Sequence, residues 1–295
     1  MPHIQNVPCN REAKIIDKHK TGVIRFYDTH PINEHEILTK LAAQGASLDA
    51  LSQADLKDFD QDHYGGTEVL DELADAAGIN HEHHVLDVCS GMGGPARWLA
   101  FQRNCKVTGL DFTLSRVEAA RRLTERVQLD HLVDFIHGDA TAMPLASAHY
   151  DVLIAQEAWL HIPDKATLIS ECARVLKPGG TIAFTDIVTK YPLERATEKR
   201  LSAEMHTAAI ASAENYVSLL KANNCIVTAQ DDLSGRWKDI LVARLAMYRS
   251  LRDTTIAKFG KARYEEYDDA YSHFVGCFVD GKLGGVRIVA RKASR

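Results

Sequence analysis

A chain of 295 residues, 45% of them apolar and 25% charged, has the apolar surface for one large α/β core with insertions, which excludes a disordered chain. Its 35 Lys and Arg against 40 Asp and Glu leave a formal net charge of −5, so nucleic acid is not an expected partner. No apolar run approaches the roughly 18 residues that span a bilayer, so no membrane partner is expected either. The first residues lack the charged-then-apolar order of a signal peptide, and Cys9, Cys89, Cys105, Cys172, Cys225 and Cys277 form no CxxC pair, so a reducing cytoplasm is the expected location.

Residues 1–65 are the least regular part of the chain. From about Asn80, strand and helix patterns alternate in the βαβ manner of a parallel sheet. The apolar run 85–89 reads as a buried strand, followed by a glycine-rich turn and a helix over about 95–102. Residues 106–110 read as the second strand. Thr113 then caps a helix whose Val117, Ala120, Leu123 and Val127 keep helical spacing. Residues 132–136 and 151–155 read as the third and fourth strands. A helix over 165–176 stops at Lys177-Pro178-Gly179-Gly180, and 181–185 is the fifth strand. The runs 225–228 and 286–290 complete the sheet. Between them Ile240, Leu241, Leu245, Tyr248 and Leu251 predict one amphipathic helix over 237–259. Arg116, Arg121, Arg122 and Arg126 make the densest basic patch, but Glu118 and Glu125 interrupt it, so it reads as a solvated helix face. The pattern predicts an α/β fold with a doubly wound, mostly parallel, seven-stranded sheet. Residues 67–295 form its main domain, with a helical insertion at about 191–281.

The turn Asp87-Val88-Cys89-Ser90-Gly91-Met92-Gly93-Gly94 lies at the carboxyl end of the first strand, where glycines allow a ligand close to the backbone. Gly91 to Ala96 also fits the G-x-G-x-x-A dinucleotide pattern, and Asp111 stands near the spacing for gripping a ribose in either case. Three features favour a different ligand. Asp87 lies inside the first strand, where a carboxylate meets a cationic amino group and a pyrophosphate gains nothing. His137-Gly138-Asp139-Ala140 follows the third strand, and an acid there can accept the adenine amino group. Ala173-Arg174-Val175-Leu176-Lys177-Pro178-Gly179-Gly180 ends the helix before the fifth strand.

In that order and spacing these motifs resemble the class I S-adenosylmethionine-dependent methyltransferases. The resemblance implies that Ser90, Gly91 and Gly93 approach the methionine part and that Asp111 binds the ribose hydroxyls. It also implies that Phe112 packs on adenine and that Asp139, with Ala140 beside it, hydrogen-bonds it. The segment from Ala155 to Lys165, with the run from Ile169 to Gly180, is similar to the sarcosine/dimethylglycine N-methyltransferases and the phosphoethanolamine methyltransferases. A fainter likeness reaches Asp62 to Gly66 and Gly281 to Leu283. By position Gln156 touches the cofactor, Glu157 takes the place of that group's usual Asp, and His161 matches its acceptor-site histidine.

The resemblance therefore implies S-adenosylmethionine as cofactor and His161 and Glu157 as catalytic residues, His161 accepting a proton from an amine acceptor. It implies that residues 1–66 fold over the cofactor as a lid, with Tyr27 and Tyr64 as candidates to line the site and Tyr64 counted with the cofactor-binding residues. Trp159 and Tyr64 offer aromatic faces to a cationic product, or serve as core. The expected acceptor is the nitrogen of a small amine or amino acid, in a monomer or homodimer. Transfer to carbon, oxygen or sulfur of a specialised metabolite is the alternative, and a non-catalytic cofactor-binding protein is a third reading. His81-Glu82-His83-His84 reads as an exposed turn, so no metal is expected.

Overall fold

Strands form where short β-branched and apolar runs alternate, and the alternation assigns each residue to one face of a sheet. The computed structural model describes residues 10–30, 32–207 and 209–294, with side chains from Lys18 onward. Four helices come first: α1 (Asn10–Asp28), α2 (Glu34–Ala43), α3 (Gln53–Leu56) and α4 (Gly66–Ala77). The alternating part then runs β1 (His84–Val88), α5 (Gly94–Arg103), β2 (Lys106–Asp111), α6 (Leu114–Arg126), β3 (Val133–His137) and β4 (Tyr150–Gln156). A single 3₁₀ turn, Trp159–His161, leads to α7 (Lys165–Val175), β5 (Leu176–Thr189), α8 (Arg195–Met205), α9 (Ala213–Ala222) and β6 (Cys225–Asp232). The chain closes with α10 (Ser234–Ser250), α11 (Arg252–Phe259), α12 (Lys261–Val279) and β7 (Leu283–Lys292).

The seven strands lie in the order β3-β2-β1-β4-β5-β7-β6, with β7 antiparallel to both its neighbours. Strand order reverses between β1 and β4, and a crevice outside the carboxyl ends of the strands opens at such a switch point. Val85, Val107, Val152 and Ile154 face one core with α4, α5 and α6, while Leu86, Val88, Leu153 and Ala155 face the other with α7 and α9. Ile37, Leu41, Leu51 and Leu56 share the first of these cores, so α2 and α3 pack with the main sheet layer. A third cluster joins Trp237 and Leu241 of α10 to Phe274, Val275 and Phe278 of α12.

Two local expectations are corrected. The single helix expected over 237–259 is two helices that break at Leu251, which is 51% exposed, and only Trp237 and Leu241 of α10 are buried. Ile240 and Leu245 are partly buried against the third core, and Tyr248 stacks on Tyr264 of α12 at 5.0 Å, so the stripe packs on another helix as well as on β7 of the sheet. Thr113 stands at the N-cap of α6 with extended backbone, but its hydroxyl makes no capping bond. Instead its backbone N–H donates to Asp111 Oδ1 at 2.8 Å.

Candidate active site

A cavity of about 340 Å³ opens at the switch point, lined by the β1 turn, the ends of β2 and β4, the 3₁₀ turn, and His19, Lys20, Val23 and Tyr27 of α1. The β1 turn bends through left-handed backbone at Cys89 (φ 65°), Gly91 (φ 54°) and Gly93 (φ 75°). The two glycines, both expected to approach a ligand, do different things. A Cβ on Gly91 would meet nothing within 4 Å, and this residue lines the cavity. A Cβ on Gly93 would lie 2.2 Å from Phe135 Cζ, and Gly93 is not among the lining residues. The turn is also held from behind: the fully buried Arg97 of α5 donates to Met92 O at 2.7 Å, to Asp60 Oδ2 at 3.0 Å and to Gln53 Oε1 at 3.0 Å.

Three buried polar atoms of lining residues have no protein partner: Asp87 Oδ2, Ser90 Oγ and Gln156 Oε1. Folded chains seldom leave such atoms unpaired, so the group suits a polar ligand. Burial, then the neighbouring Asp111, pushes the Asp87 carboxyl up to about 7, and a cationic ligand group would draw it back down. Asp111 accepts from Gly91 N and Thr113 N, both at 2.8 Å, and keeps lone pairs for ribose hydroxyls. Phe112, Asp139 and the buried Ala140 line the same wall. Across that wall reaches Lys20: its Nζ lies 2.5 Å from Asp139 Oδ2 and 5.4 Å from the centre of the Phe112 ring. The polar set fits the amino end, ribose and adenine of S-adenosylmethionine, with Lys20 standing on the two groups an adenine would use.

At the other end, β4 delivers Glu157 in left-handed backbone (φ 45°). Thr185 Oγ1 donates to its Oε1 at 2.6 Å and the Tyr64 N–H to its Oε2 at 2.7 Å. Burial lifts the carboxyl to about 8 in spite of those donors, so it holds a proton through neutral pH. His161 Nδ1 lies 2.9 Å from the His206 carbonyl oxygen, which can only accept, so Nδ1 carries the proton. Nε2 is then free to accept from the Tyr27 hydroxyl at 3.1 Å. Burial lowers the His161 pKa to about 4 and raises that of Tyr27, so both are neutral at pH 7. His63, likewise lowered to about 4 by burial, accepts at Nδ1 from Gln156 Nε2 at 3.2 Å.

Sequence reading missed three contributors. Arg116, taken there as part of a solvated face, is 4% exposed. It donates to Ile32 O at 2.7 Å and Tyr27 O at 2.6 Å, which fixes the end of α1 over the cavity. Lys20 and the Arg97–Asp60 pair had no local signal at all. Tyr64, expected to bind the cofactor, does not line the cavity. Its ring packs edge-on against Trp237 at 5.1 Å beneath the Arg244 guanidinium, so only its N–H serves the site. Trp159 is core, 4.4 Å from Phe184 between ring centres. His81 and Glu82 are exposed, and among the described residues no three metal-ligating side chains cluster.

The strand order, the glycine turn after β1, and acids near the carboxyl ends of β1, β2 and β3 define the class I methyltransferase fold and its cofactor crevice. Comparison with known proteins agrees. Residues 86–184 match the family described as a methyltransferase domain. Methyltransferase GfsG of Streptomyces halstedii is 30% identical over 192 residues, 63% of this chain and 65% of that protein. Sarcosine/dimethylglycine N-methyltransferase of Halorhodospira halochloris is 33% identical over 108 residues, 37% of this chain and 39% of that protein. The chain thus spans less than two thirds of either relative. The crystal structure of a putative sarcosine dimethylglycine methyltransferase from Galdieria sulphuraria superposes with a TM-score of 0.70 at 22% identity, covering 77% of this chain and 84% of that one.

Residues 86–184 thus match a methyltransferase domain, the fold is that of the class I S-adenosylmethionine-dependent methyltransferases, and the chain resembles the sarcosine/dimethylglycine and phosphoethanolamine group. Other relatives are named for transfer to carbon and to oxygen, so kinship leaves the accepting atom open. No helix of the described residues is long and apolar enough to cross a membrane.

Proposed function

We propose that this enzyme methylates the nitrogen of a small amine that carries no carboxylate or phosphate. The observation that carries this reading is the acceptor end of the cavity. The Tyr27 hydroxyl donates to His161 Nε2 there, and the Arg116 guanidinium, 5.5 Å from the Tyr27 ring centre, is already engaged on two backbone carbonyls, while Lys20 stands at the adenine end beside Asp139. Among the described lining residues an anionic acceptor beside His161 would meet no unengaged Lys or Arg, whereas Asp62 and the ring of Tyr27 suit an ammonium. The five described cysteines are free thiols, which fits a reducing cytoplasm.

When bound, S-adenosylmethionine supplies a methyl group on a sulfonium, so the chain's work is placement and proton handling. Asp87, Ser90 and Gln156 hold the amino end, Asp111 the ribose, and Phe112, Asp139 and Ala140 the adenine. Gly91 leaves the space and Gly93 supports the turn from behind. Helix α1 acts as a lid over the cavity and keeps water out. Tyr27 takes the amine's proton at its oxygen as it gives its own to His161 Nε2. His161 is neutral at pH 7, so Nε2 is open to the proton, and because burial makes it a weaker base than a free imidazole its help belongs at the low end of the usual range of about 10²–10⁴-fold. Glu157, protonated and held by Thr185 and Tyr64, shapes the acceptor wall and does not act as the base. The same Tyr27–His161 pair serves a hydroxyl acceptor, which must lose a proton to be methylated, so transfer to oxygen is the second reading.

The test is transfer of isotope-labelled methyl to amines without an acidic group, set beside sarcosine, glycine, phosphoethanolamine, alcohols and phenols. Label on the nitrogen of an uncharged-tail amine, lost about 10²-fold or more in Tyr27→Phe and His161→Ala, supports the reading. Label only on the carboxylate- or phosphate-bearing amines, or only on carbon, overturns it.

A further inference from the structure

Lys165 is 6% exposed at the first turn of α7, although lysine is seldom buried without a task. It does not line the cavity, so it touches neither cofactor nor acceptor. Its Nζ donates to two backbone carbonyls, that of Ile162 and that of Ala209 (3.1 Å). Ile162 directly follows His161. Ala209 belongs to the stretch between α8 and α9 whose His206 carbonyl accepts the His161 Nδ1 proton at 2.9 Å. One ammonium therefore joins the two backbone segments that meet at the imidazole.

The other side of the 3₁₀ turn is held by Asp186 of β5, which is fully buried. Its Oδ1 accepts from Leu160 N at 3.4 Å and its Oδ2 from the Tyr216 hydroxyl at 2.6 Å. The residues before and after His161 are thus tied to two buried charges of opposite sign. Replacing Lys165 alone leaves the buried Asp186 and two carbonyls without their cation, which lowers stability whatever the role of Lys165, so only a readout at the imidazole separates positioning from support.

We propose that Lys165 is a positioning residue for the methyl transfer. By clamping the Ile162 and Ala209 carbonyls it sets the distance between His161 Nδ1 and the His206 oxygen. The imidazole is thereby kept as the Nδ1–H tautomer, with Nε2 turned to Tyr27. This inference rests on the reading of His161 as proton acceptor, yet its structural half can be read without turnover.

The experiment records ¹⁵N shifts of the His161 ring in the ligand-free protein, wild type against Lys165→Met and Lys165→Arg. It is joined to kcat, KM and calorimetric binding of S-adenosylhomocysteine. The expected result is a single Nδ1–H signature in wild type and in Lys165→Arg, whose fork can still reach both carbonyls, and mixed tautomers in Lys165→Met. For Lys165→Met, kcat falls about 10- to 100-fold while S-adenosylhomocysteine affinity stays within about twofold. If the Met variant does not fold, Lys165→Gln, polar but too short to span both carbonyls, takes its place with the same expected shifts. A folded Met or Gln variant that keeps the single signature overturns the proposal. So does a folded Met variant that mixes tautomers without loss of kcat, because the clamp would then not serve the reaction. Should His161→Ala keep full activity, it is the proton-acceptor reading that fails, which the tautomer shifts tell apart from a failure of the clamp.

Discussion

Replacing Gly93 by alanine puts a methyl group where the turn meets the sheet. The added Cβ would sit 2.2 Å from Phe135 Cζ, 2.5 Å from Cε1 and 3.0 Å from Arg97 Nη1, in backbone at φ +75°. Left-handed backbone costs an L-residue about 1–2 kcal/mol, and forcing a methyl into a packed core adds about 1–3 kcal/mol. The expected loss is therefore about 2–5 kcal/mol. Gly91→Ala is the internal control: its φ is +54°, and its Cβ meets no atom within 4 Å. It should lose only the backbone part, about 1–2 kcal/mol. Urea unfolding of the two ligand-free variants separates the clash from the strain. Binding of S-adenosylhomocysteine should reverse the ranking, because the Gly91 methyl enters the cavity and the Gly93 methyl does not. Equal stability loss in the two variants, or stronger impairment of binding by Gly93→Ala once folded, would refute the division of labour between these glycines.

Asp87, pushed up from 3.8 to about 7, binds a proton more readily in the folded state than in the unfolded one. Its contribution is therefore unfavourable to stability as pH rises from about 4 to about 7. Thermal midpoints of the ligand-free protein should show that slope, and Asp87→Asn should reduce it; an unchanged slope would mean the carboxyl is not held protonated. Lys20→Ala frees Asp139 and the Phe112 face, and an exposed ion pair is worth about 0–1 kcal/mol. S-adenosylhomocysteine should then bind up to about fivefold more tightly by calorimetry; weaker binding would show that Lys20 assists the ligand instead. Asp60→Ala strands the fully buried Arg97 guanidinium and should cost about 3–5 kcal/mol in urea unfolding, and a loss below 1 kcal/mol would count against the tie to Met92.

What local chemistry dictates was legible from the chain. Short apolar runs marked the seven strands, because a central strand with one face in each core is apolar at nearly every position. The glycine turn and the acids Asp87, Asp111 and Asp139 lie at strand ends, so their place in a parallel sheet follows from position alone. The tertiary structure decided which of those groups is already occupied. Lys20 reaches Asp139 across 119 residues, Tyr27 reaches His161 across 134, and the Tyr64 N–H reaches Glu157 across 93. It also buried Arg116, turned the Tyr64 ring onto Trp237, and divided two glycines of one turn, Gly91 and Gly93, between cavity and core. Periodicity records which face of an element is apolar, but not which distant side chain will fill a given hydrogen-bonding position. That choice is made when separate elements pack, because only then do a buried donor and acceptor lose water and need each other.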